Sequence, residues 1–328
     1  MDRPRTLVIT SDVPHKNMSL LCPSPDGIIG EWQILYNPPK GTKCDFWIVF
    51  TASRPRDWMQ CAPKNTLYLA GEPPSKKVHP ESFYAQFHHV YSCNPKDPHP
   101  RVEVGAPCLN WHVGLNTDTH EYRFGSEHLS QLKSPHKINK ISVVCSNLTT
   151  TEGQRKRLKF LEHLKSELGD SIVHFGRGFT PIPDKFEAIL PYAYHLVLEN
   201  SETPHYWTEK LSDAYLGHAF PFYLGAPNIH EYFSHKALIV LNAENPEQAV
   251  REMSTALASK LHESRQRDIK HARHQILNKY NIFSLSSELS NKHFKVKATP
   301  KRIVIATHKA FRPFPRNILY QIKAFIRK

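Results

Sequence analysis

The second half of the sequence alternates short apolar runs with amphipathic segments. Runs with the length of buried strands occur at residues 140–145, 172–175, 195–198, 220–224 and 238–241. Leucines 158, 161, 164 and 168 recur at intervals of three and four, which predicts a helix over residues 152–168, and a second helix is predicted from residue 208 to about 216. Strands that alternate with helices predict a parallel sheet covered on both faces, and therefore an α/β fold.

The first half carries similar apolar runs, separated by proline-rich breaks, but its helices are poorly marked. Strands are predicted at residues 6–10, 46–50, 66–69 and 89–92. A polar stretch at residues 115–140 has little apolar periodicity, as expected of a linker. A chain of 328 residues has room for two domains. We therefore predict domains at residues 1–133 and 134–290, followed by a tail at residues 291–328.

The net charge of +13 is concentrated in this predicted tail. Residues 291–328 contain 11 lysines and arginines and no acidic residue, which leaves 32 basic and 30 acidic residues for the rest of the chain. A polyanion-binding protein would carry its charge along a groove rather than at one end. The distribution therefore argues against nucleic acid as a partner.

The cysteines and the hydropathy favour a cytoplasmic protein. All six cysteines fall in the first 145 residues, without a CxxC pair or a zinc-type spacing. The beginning of the sequence lacks the long apolar run of a secretory signal, so we expect reduced thiols in a reducing compartment. We find no window of 18 consecutive apolar residues and expect no membrane-spanning helix.

A polar motif follows the predicted strand at residues 195–198. The strand ends in Glu199-Asn200-Ser201, and after a turn a helix begins at Thr208-Glu209-Lys210. Thr208 is a good N-cap, and the N–H groups and positive dipole of a helix start favour an anion, to which Lys210 adds a full charge. A carboxylate at Glu209 could accept both hydrogens of a ribose diol. Taken alone, the same residues also describe an ordinary capped helix.

The residues around this motif distinguish a donor-binding site from an ordinary capped helix. The stretch ENSETPHYWTEKL, followed by DAYLGHAFPFYLGAPNIHEYF, resembles the donor-domain signature of glycosyltransferase family 10, the α-1,3/1,4-fucosyltransferases. The resemblance extends upstream to Cys145 and covers most of the second half. It implies the GT-B fold, in which two Rossmann-like domains face each other across a cleft, and GDP-β-L-fucose as the donor.

The resemblance also implies roles for individual residues. Glu209 corresponds to the ribose ligand and Lys210 to a phosphate ligand, while Asn200 and Tyr206 line the diphosphate and the sugar. The family's phosphate-binding arginine lies on the helix after the first strand of this domain, and Arg157 fits its spacing.

Two other arginines are alternatives to Arg157 as the phosphate ligand, and the sequence differs from the family pattern at two places. Arg155 is the fallback for Arg157, and both could instead lie on a solvated basic helix face. Arg177, between two glycines, is a weaker phosphate candidate that could simply occupy a turn. The sequence departs from the family at Trp207, where a small or β-branched residue is usual, and in the Ala-Leu-Ile that follows residue 236.

The predicted catalytic base lies in the first half of the chain. An inverting transferase needs one general base to take the proton of the acceptor hydroxyl. Glu72 follows the predicted strand at residues 66–69 in a Gly-Glu-Pro turn, a setting in which most glutamates are surface residues. The resemblance implies that Glu72 is the base, because the family's base lies in a similar strand-Gly-Glu-x-x-Pro setting.

The cofactor and the acceptor are predicted less directly. The sequence contains no Asp-x-Asp triplet, so we expect no obligatory metal ion. The resemblance implies transfer to the 3-hydroxyl of an N-acetylglucosamine unit in a glycan. Four tryptophans in the first half could stack on sugars, although tryptophans in a domain are more often core residues.

The end of the tail has helical apolar spacing among basic residues. The apolar positions are Ile318, Leu319, Ile322, Phe325 and Ile326. Such a helix could bind the cytoplasmic face of a membrane, where a lipid-linked glycan acceptor would be available, or pack on the N-terminal domain.

Two other functions remain open at this stage. One is a related GT-B transferase that uses a different nucleotide sugar, because the motif specifies nucleotide and phosphate better than it specifies the sugar. The other is a non-catalytic protein that binds a glycan or a nucleotide.

Overall fold

The computed structural model describes residues 3–312 and 314–318. Its strands are β1 (Arg5–Thr10), β2 (Ile28–Ile29), β3 (Trp32–Tyr36), β4 (Phe46–Phe50), β5 (Asp57–Cys61), β6 (Thr66–Leu69), β7 (His89–Ser92), β8 (Val102–Val104), β9 (Leu115–Asn116), β10 (Glu121–Tyr122), β11 (Ile138–Val144), β12 (Ile172–Phe175), β13 (Tyr192–Leu198), β14 (Phe220–Leu224), β15 (Ile239–Val240) and β16 (Lys301–Ile305). Its α-helices are α1 (Glu81–Tyr84), α2 (Ser126–Gln131), α3 (Glu152–Leu168), α4 (Lys185–Ile189), α5 (Glu209–Leu216), α6 (Pro246–Ala258), α7 (Leu261–Ser264), α8 (Gln266–Asn278) and α9 (Ile282–His293).

The chain forms two compact units, and their boundaries differ from those predicted from the sequence. Within the described residues, unit 1 consists of residues 3–107 and 282–318, and unit 2 consists of residues 108–281. The predicted division placed residues 108–133 in the first domain, residues 282–290 in the second, and residues 291–328 in a separate tail. Both differences have a physical cause in specific hydrogen bonds.

Residues 108–133 belong to unit 2 because two of its buried carboxylates hold them. Asp184 accepts hydrogen bonds from the backbone N–H of Gly114 at 3.1 Å and from the side chain of Arg123 at 2.8 Å. Asp213 accepts hydrogen bonds from the backbone N–H groups of His112 and Val113. Both carboxylates come from sequence positions at least 61 residues away, so the local sequence gave no sign of these contacts.

Residues 282–312 return to unit 1 for a similar reason. The indole of Trp32 donates to Asn291 on α9, and the hydroxyl of Ser287 donates to the backbone carbonyl of Ile29. Strand β16 then pairs antiparallel with β5, with Val304 opposite Trp58. The basic segment is therefore part of unit 1 as far as the structure describes it.

Unit 1 is built on a sheet with the strand order β2-β3-β1-β4-β6-β7-β8, in which β2 pairs antiparallel with β3 and the other neighbours are parallel. Every residue of β4 and of β6 is buried, which explains why their sequences are continuous apolar runs. The chain moves from β1 to β3 on one side and to β4 on the other. The carboxyl ends of β1 and β4 therefore form the switch point at which doubly wound sheets bind ligands.

Unit 2 is built on a parallel sheet with the order β12-β11-β13-β14-β15. This is the order 2-1-3-4-5 of doubly wound, flavodoxin-type sheets, with the switch point between β11 and β13. Two units with parallel α/β sheets confirm the predicted α/β class and its two Rossmann-like parts. The GT-B arrangement of two domains about a cleft stays a prediction.

Most predicted elements are present. Strands β4, β6, β7, β12 and β14 and helix α3 have the predicted bounds, and β1, β11, β13, β15 and α5 differ by a few residues. The missed strands include β5 and β16, whose paired positions run from Lys301 opposite Cys61 to Ile305 opposite Asp57 and are therefore far apart in sequence. The predicted amphipathic helix of the tail lies almost wholly outside the described residues.

All six cysteines are buried and free, as expected of thiols. Among the described residues, no helix has the length and hydropathy needed to cross a membrane.

Replacing Asp184 by alanine should lower the free energy of unfolding by about 2 to 3 kcal/mol. The Asp184 carboxylate is fully buried, and its loss leaves the N–H of Gly114 without an acceptor and removes the cap of α4. Replacing Arg123, whose side chain is 50% exposed, should cost less than about 1 kcal/mol. Urea denaturation of both variants measures the difference, and equal losses would contradict this account of residues 108–133.

Candidate functional site

The switch point of unit 2 brings the start of α3 against the loop that follows β13. Gly153, in the first turn of α3, lies so close to this loop that a Cβ atom would stand 2.3 Å from the backbone oxygen of Asn200. The helix begins with a capping box between Thr151 and Gln154. The N-terminal turn of α3 and the Asn200 loop therefore form one continuous surface.

Arg157 and Asn200, both predicted site residues, are in direct contact at this surface. Arg157 is buried and donates a hydrogen bond of 2.7 Å from one terminal nitrogen to the side-chain oxygen of Asn200. The Nε atom of Arg157 is buried and has no hydrogen-bond partner among the described residues. Arg155, the fallback candidate, is exposed and donates to the backbone oxygen of Thr149. The geometry favours Arg157, because a buried N–H without an acceptor can bind an oxyanion.

Glu199 organises the start of α5. Its carboxylate, which is 1% exposed, accepts hydrogen bonds of 2.8 Å from both the backbone N–H and the hydroxyl of Thr208. The hydroxyl of Thr208 in turn accepts from the N–H of Lys210. Glu199 therefore fixes the end of β13 to the first turn of α5, and the sequence had assigned it no role.

Lys210 lies between two carboxylates. Its Nζ atom is 3.2 Å from an oxygen of Glu199 and 3.2 Å from an oxygen of Glu209. Burial alone would lower the pKa of Lys210, but the two carboxylates outweigh it and raise the pKa, so the amine stays protonated. Burial would likewise raise the pKa of Glu209, but Lys210 and Lys185 hold that pKa well below its usual value.

A second buried ion pair continues this network. The Nζ atom of Lys185 lies 2.8 Å from Asp213 and 3.7 Å from Glu209. Burial raises the pKa of Asp213, although the charge of Lys185 acts in the opposite direction. The network thus contains three carboxylates (Glu199, Glu209 and Asp213) and two ammonium groups (Lys185 and Lys210). Its two cations are already balanced by acids, whereas the one hydrogen bond of Arg157 among the described residues goes to the neutral amide of Asn200.

Tyr206 is buried at the turn before α5, where its N–H donates to the backbone oxygen of Thr203. The adjacent Trp207 packs edge-on against Tyr232, Phe233 and Tyr280. This aromatic cluster accommodates the large side chain at the position where the sequence departs from the family pattern.

Arg177 is exposed and lies in a turn. The flanking Gly176 and Gly178 have positive φ angles of 126° and 86°. A Cβ atom on Gly176 would also meet the backbone of Cys145, at 2.6 Å from its oxygen. The two glycines are therefore explained by the turn itself.

Glu72, the predicted base, lies in unit 1 after the carboxyl end of β6. Its side chain is 34% exposed and forms an ion pair of 2.7 Å with Lys76. It lines a small cavity together with Tyr68, Lys77 and His79. This cavity has only about 10 Å³ of free volume, enough for a single water molecule, so a sugar does not fit inside it.

In the described part of the chain, no group of three or more His, Cys, Asp or Glu side chains is arranged to hold a metal ion. The expectation that the reaction needs no metal stays a prediction.

Four of the residues predicted from the sequence to bind the donor lie at the switch point of unit 2: Arg157, Asn200, Glu209 and Lys210. The sequence did not predict roles for Glu199, Lys185 or Asp213. An acidic residue at the end of a buried strand was a usable signal for Glu199. No local pattern marks Lys185 and Asp213, because they meet through the tertiary structure.

Comparison with known families gives a match over unit 2. Residues 134–272 match the model described as glycosyltransferase family 10 (fucosyltransferase), C-terminal part. This range runs from just before β11 into α8 and includes every donor-side residue discussed above.

Individual relatives are more distant. The α-(1,3)-fucosyltransferase FucT of Helicobacter pylori is 34% identical over 58 residues, and this match covers 18% of the present chain and 12% of that protein. A crystal structure of an α1,3-fucosyltransferase with GDP aligns with a TM-score of 0.47 and 15% identity, covering 86% of this chain and 95% of that one. WaaG, a glycosyltransferase involved in lipopolysaccharide biosynthesis, aligns with a TM-score of 0.43 and 11% identity, covering 88% and 99%.

Replacing Glu199 by glutamine should lower the free energy of unfolding by about 3 kcal/mol. The change keeps the shape of the side chain but removes a buried charge that balances Lys210 and holds Thr208, the N-cap of α5. Glu202→Gln, three residues later and exposed, is the matched control and should change stability by less than about 0.5 kcal/mol. If urea denaturation gives both variants the same midpoint, Glu199 does not organise the site.

Proposed function

We propose that this protein, whose residues 134–272 belong to glycosyltransferase family 10, transfers L-fucose from GDP-β-L-fucose to a hydroxyl group of a glycan. The proposal rests on the family match together with the position of its donor-side residues at the switch point of unit 2. The observation that carries it is the buried Nε–H of Arg157, which lacks an acceptor among the described residues.

In the proposed donor site, a cation binds the diphosphate and a carboxylate binds the ribose. Arg157 would bind the diphosphate, because its unpaired N–H is directed by the bond to Asn200 and its guanidinium is always charged. Glu209 would accept hydrogen bonds from the ribose hydroxyls, since its low pKa keeps it ionised. Lys210 would share its charge between the two carboxylates and the nearer phosphate, and Tyr206 would line the sugar end.

The proposed chemistry is a single displacement with inversion at the anomeric carbon. The acceptor oxygen forms a bond to C1 of fucose as the bond from C1 to the diphosphate breaks, and GDP leaves with the bonding electrons. Glu72 takes the acceptor proton, because it is a partly exposed carboxylate at the carboxyl end of a strand. Arg157 and Lys210 stabilise the charge that develops on the departing diphosphate. By resemblance to the family, the acceptor hydroxyl is O3 of N-acetylglucosamine.

An assay of nucleotide release tests this proposal. The protein is incubated with GDP-fucose, other GDP-sugars and UDP-sugars, with and without N-acetylglucosamine-terminated glycans. We expect acceptor-dependent release of GDP from GDP-fucose. Glu72→Gln should lower kcat by at least about 100-fold, through loss of the general base, and change KM for GDP-fucose little. Arg157→Met should weaken GDP binding by at least about tenfold.

Matched controls are Glu81→Gln and Arg155→Met, which change exposed residues of the same types. Release from a UDP-sugar alone would contradict the choice of donor. GDP binding without acceptor-dependent release would support a non-catalytic binding protein instead.

We also propose that the basic tail attaches the protein to the cytoplasmic face of a membrane, where it would meet a lipid-linked acceptor. The support is the helical apolar spacing among the basic residues at the end of the sequence. A chain ending at Ile318 keeps β16 and its pairing with β5, so it separates the tail from the fold of unit 1. This truncated chain should lose at least about tenfold in binding to anionic vesicles relative to the full chain. Equal binding would exclude the attachment.

A further inference from the structure

The segment that follows β16 is fixed on unit 1 at several points. The side chain of Gln86 forms two hydrogen bonds with the backbone of Ala306, donating at 3.2 Å and accepting at 2.7 Å. Phe311 packs edge-on against Phe83 at 5.9 Å between ring centroids. The segment therefore has a defined position beside the carboxyl end of β6, where Glu72 lies.

This position brings basic side chains together. His308 lies against His79, with 5.5 Å between ring centroids, and its Nδ1 atom is 3.5 Å from the ammonium of Lys77. The charges of Lys77, Lys309 and Arg312 all act on His308. They contribute, after burial, to lowering its pKa to about 4, which keeps the imidazole neutral so that Nδ1 can accept from Lys77.

The charges of this cluster are not balanced. In the described part of the chain, no carboxylate lies within 4.0 Å of Lys77, Lys309 or Arg312. Glu72 and Asp12 act on Lys77 from further away, and Glu72 is already paired with Lys76. Burial of Lys77 is the main cause of its lowered pKa. Cations held together without acidic partners repel one another, and an anion bound among them would relieve this cost.

We propose that the acceptor carries an oxyanion, a phosphate or a carboxylate, which Lys77, Lys309 and Arg312 bind while Glu72 deprotonates the neighbouring hydroxyl. The inference rests on the proposed function, because it places the anion on the acceptor of that reaction. It assigns a role to residues 306–312 that the pairing of β16 alone does not explain: Lys309 and Arg312 add two cations to the one that Lys77 supplies. Charge-assisted contacts of this kind discriminate strongly between charged and neutral ligands.

Transfer to matched acceptors tests the inference with the full-length chain. N-acetylglucosamine 1-phosphate, a disaccharide of glucuronic acid and N-acetylglucosamine, and the neutral methyl glycoside of N-acetylglucosamine are compared. The kcat/KM for at least one charged acceptor should exceed that for the neutral one by at least about tenfold. Comparing the phosphorylated acceptor with the glucuronic acid disaccharide identifies which oxyanion the site binds.

The double variant Lys309→Met/Arg312→Met should abolish this preference. Both side chains are exposed, so their replacement leaves the core unchanged. The matched control is Lys64→Met/Lys295→Met, two exposed lysines near the amino end of β6 that both act on His88. It should retain the preference within about twofold. Equal kcat/KM for neutral and charged acceptors in the unmodified protein would overturn the inference and leave the proposed function standing.

A binding measurement separates the two proposals if no acceptor is modified. Inorganic pyrophosphate is titrated calorimetrically into the protein in the presence of excess GDP, which occupies the donor site. Binding that the Lys309→Met/Arg312→Met variant loses and the control retains would support the anion site while the proposed transfer fails. Absence of binding together with absence of transfer would reject both.

Discussion

The buried carboxylate of Glu199 is the interaction on which the donor-side structure depends. Glu199 directly follows β13, a strand inside the sheet of unit 2, and it accepts hydrogen bonds from the N–H and the hydroxyl of Thr208 and from the Lys210 ammonium. A buried carboxylate is costly unless donors of this kind surround it. Because they do, the loop between β13 and α5 has a fixed shape, and Asn200, the next residue, meets Arg157 and the start of α3.

The same network explains why the lysines of the site are paired with carboxylates whereas Arg157 contacts a neutral amide. Lys185 and Lys210 are balanced by Glu199, Glu209 and Asp213, and they serve to hold Glu209 ionised and in place. Arg157 instead contacts a neutral amide, and its buried Nε–H has no acceptor in the part of the chain that the structure describes. An anionic ligand would therefore gain most from Arg157. The sequence assigned both Lys210 and Arg157 to the phosphates, with Arg155 as the fallback for Arg157, and the structure adds that only Lys210 is paired with carboxylates among the described residues.

Local sequence patterns predicted all five strands of the unit 2 sheet and four of the seven strands of the unit 1 sheet, because buried parallel strands are continuous apolar runs. They missed β2, β3 and β8, which are short or only partly buried. They could not predict contacts between distant positions. The boundary near Ser134 was placed by the polarity of residues 115–140, whereas Asp213 and Asp184 hold residues 112–114 and Arg123 on unit 2. The basic C-terminal residues resembled a tail because β16 is a short edge strand whose partner, β5, is also short and irregular in polarity.

In the candidate site, too, groups that are adjacent in sequence could be predicted and contacts between distant residues could not. Glu209 and Lys210 are adjacent at a helix start, so their grouping is visible in the sequence. Lys185 reaches Asp213 and Glu209 across 28 and 24 residues, and nothing at Lys185 itself indicates this.

The most direct test of the central claim follows the Nε–H group of Arg157 by ¹H–¹⁵N NMR. The signal is assigned by its absence in the Arg157→Lys variant. If the switch point of unit 2 binds the diphosphate through this group, GDP should shift the signal strongly, and guanosine, which lacks the diphosphate, should not. A protein that binds GDP while this signal stays unchanged would contradict the account.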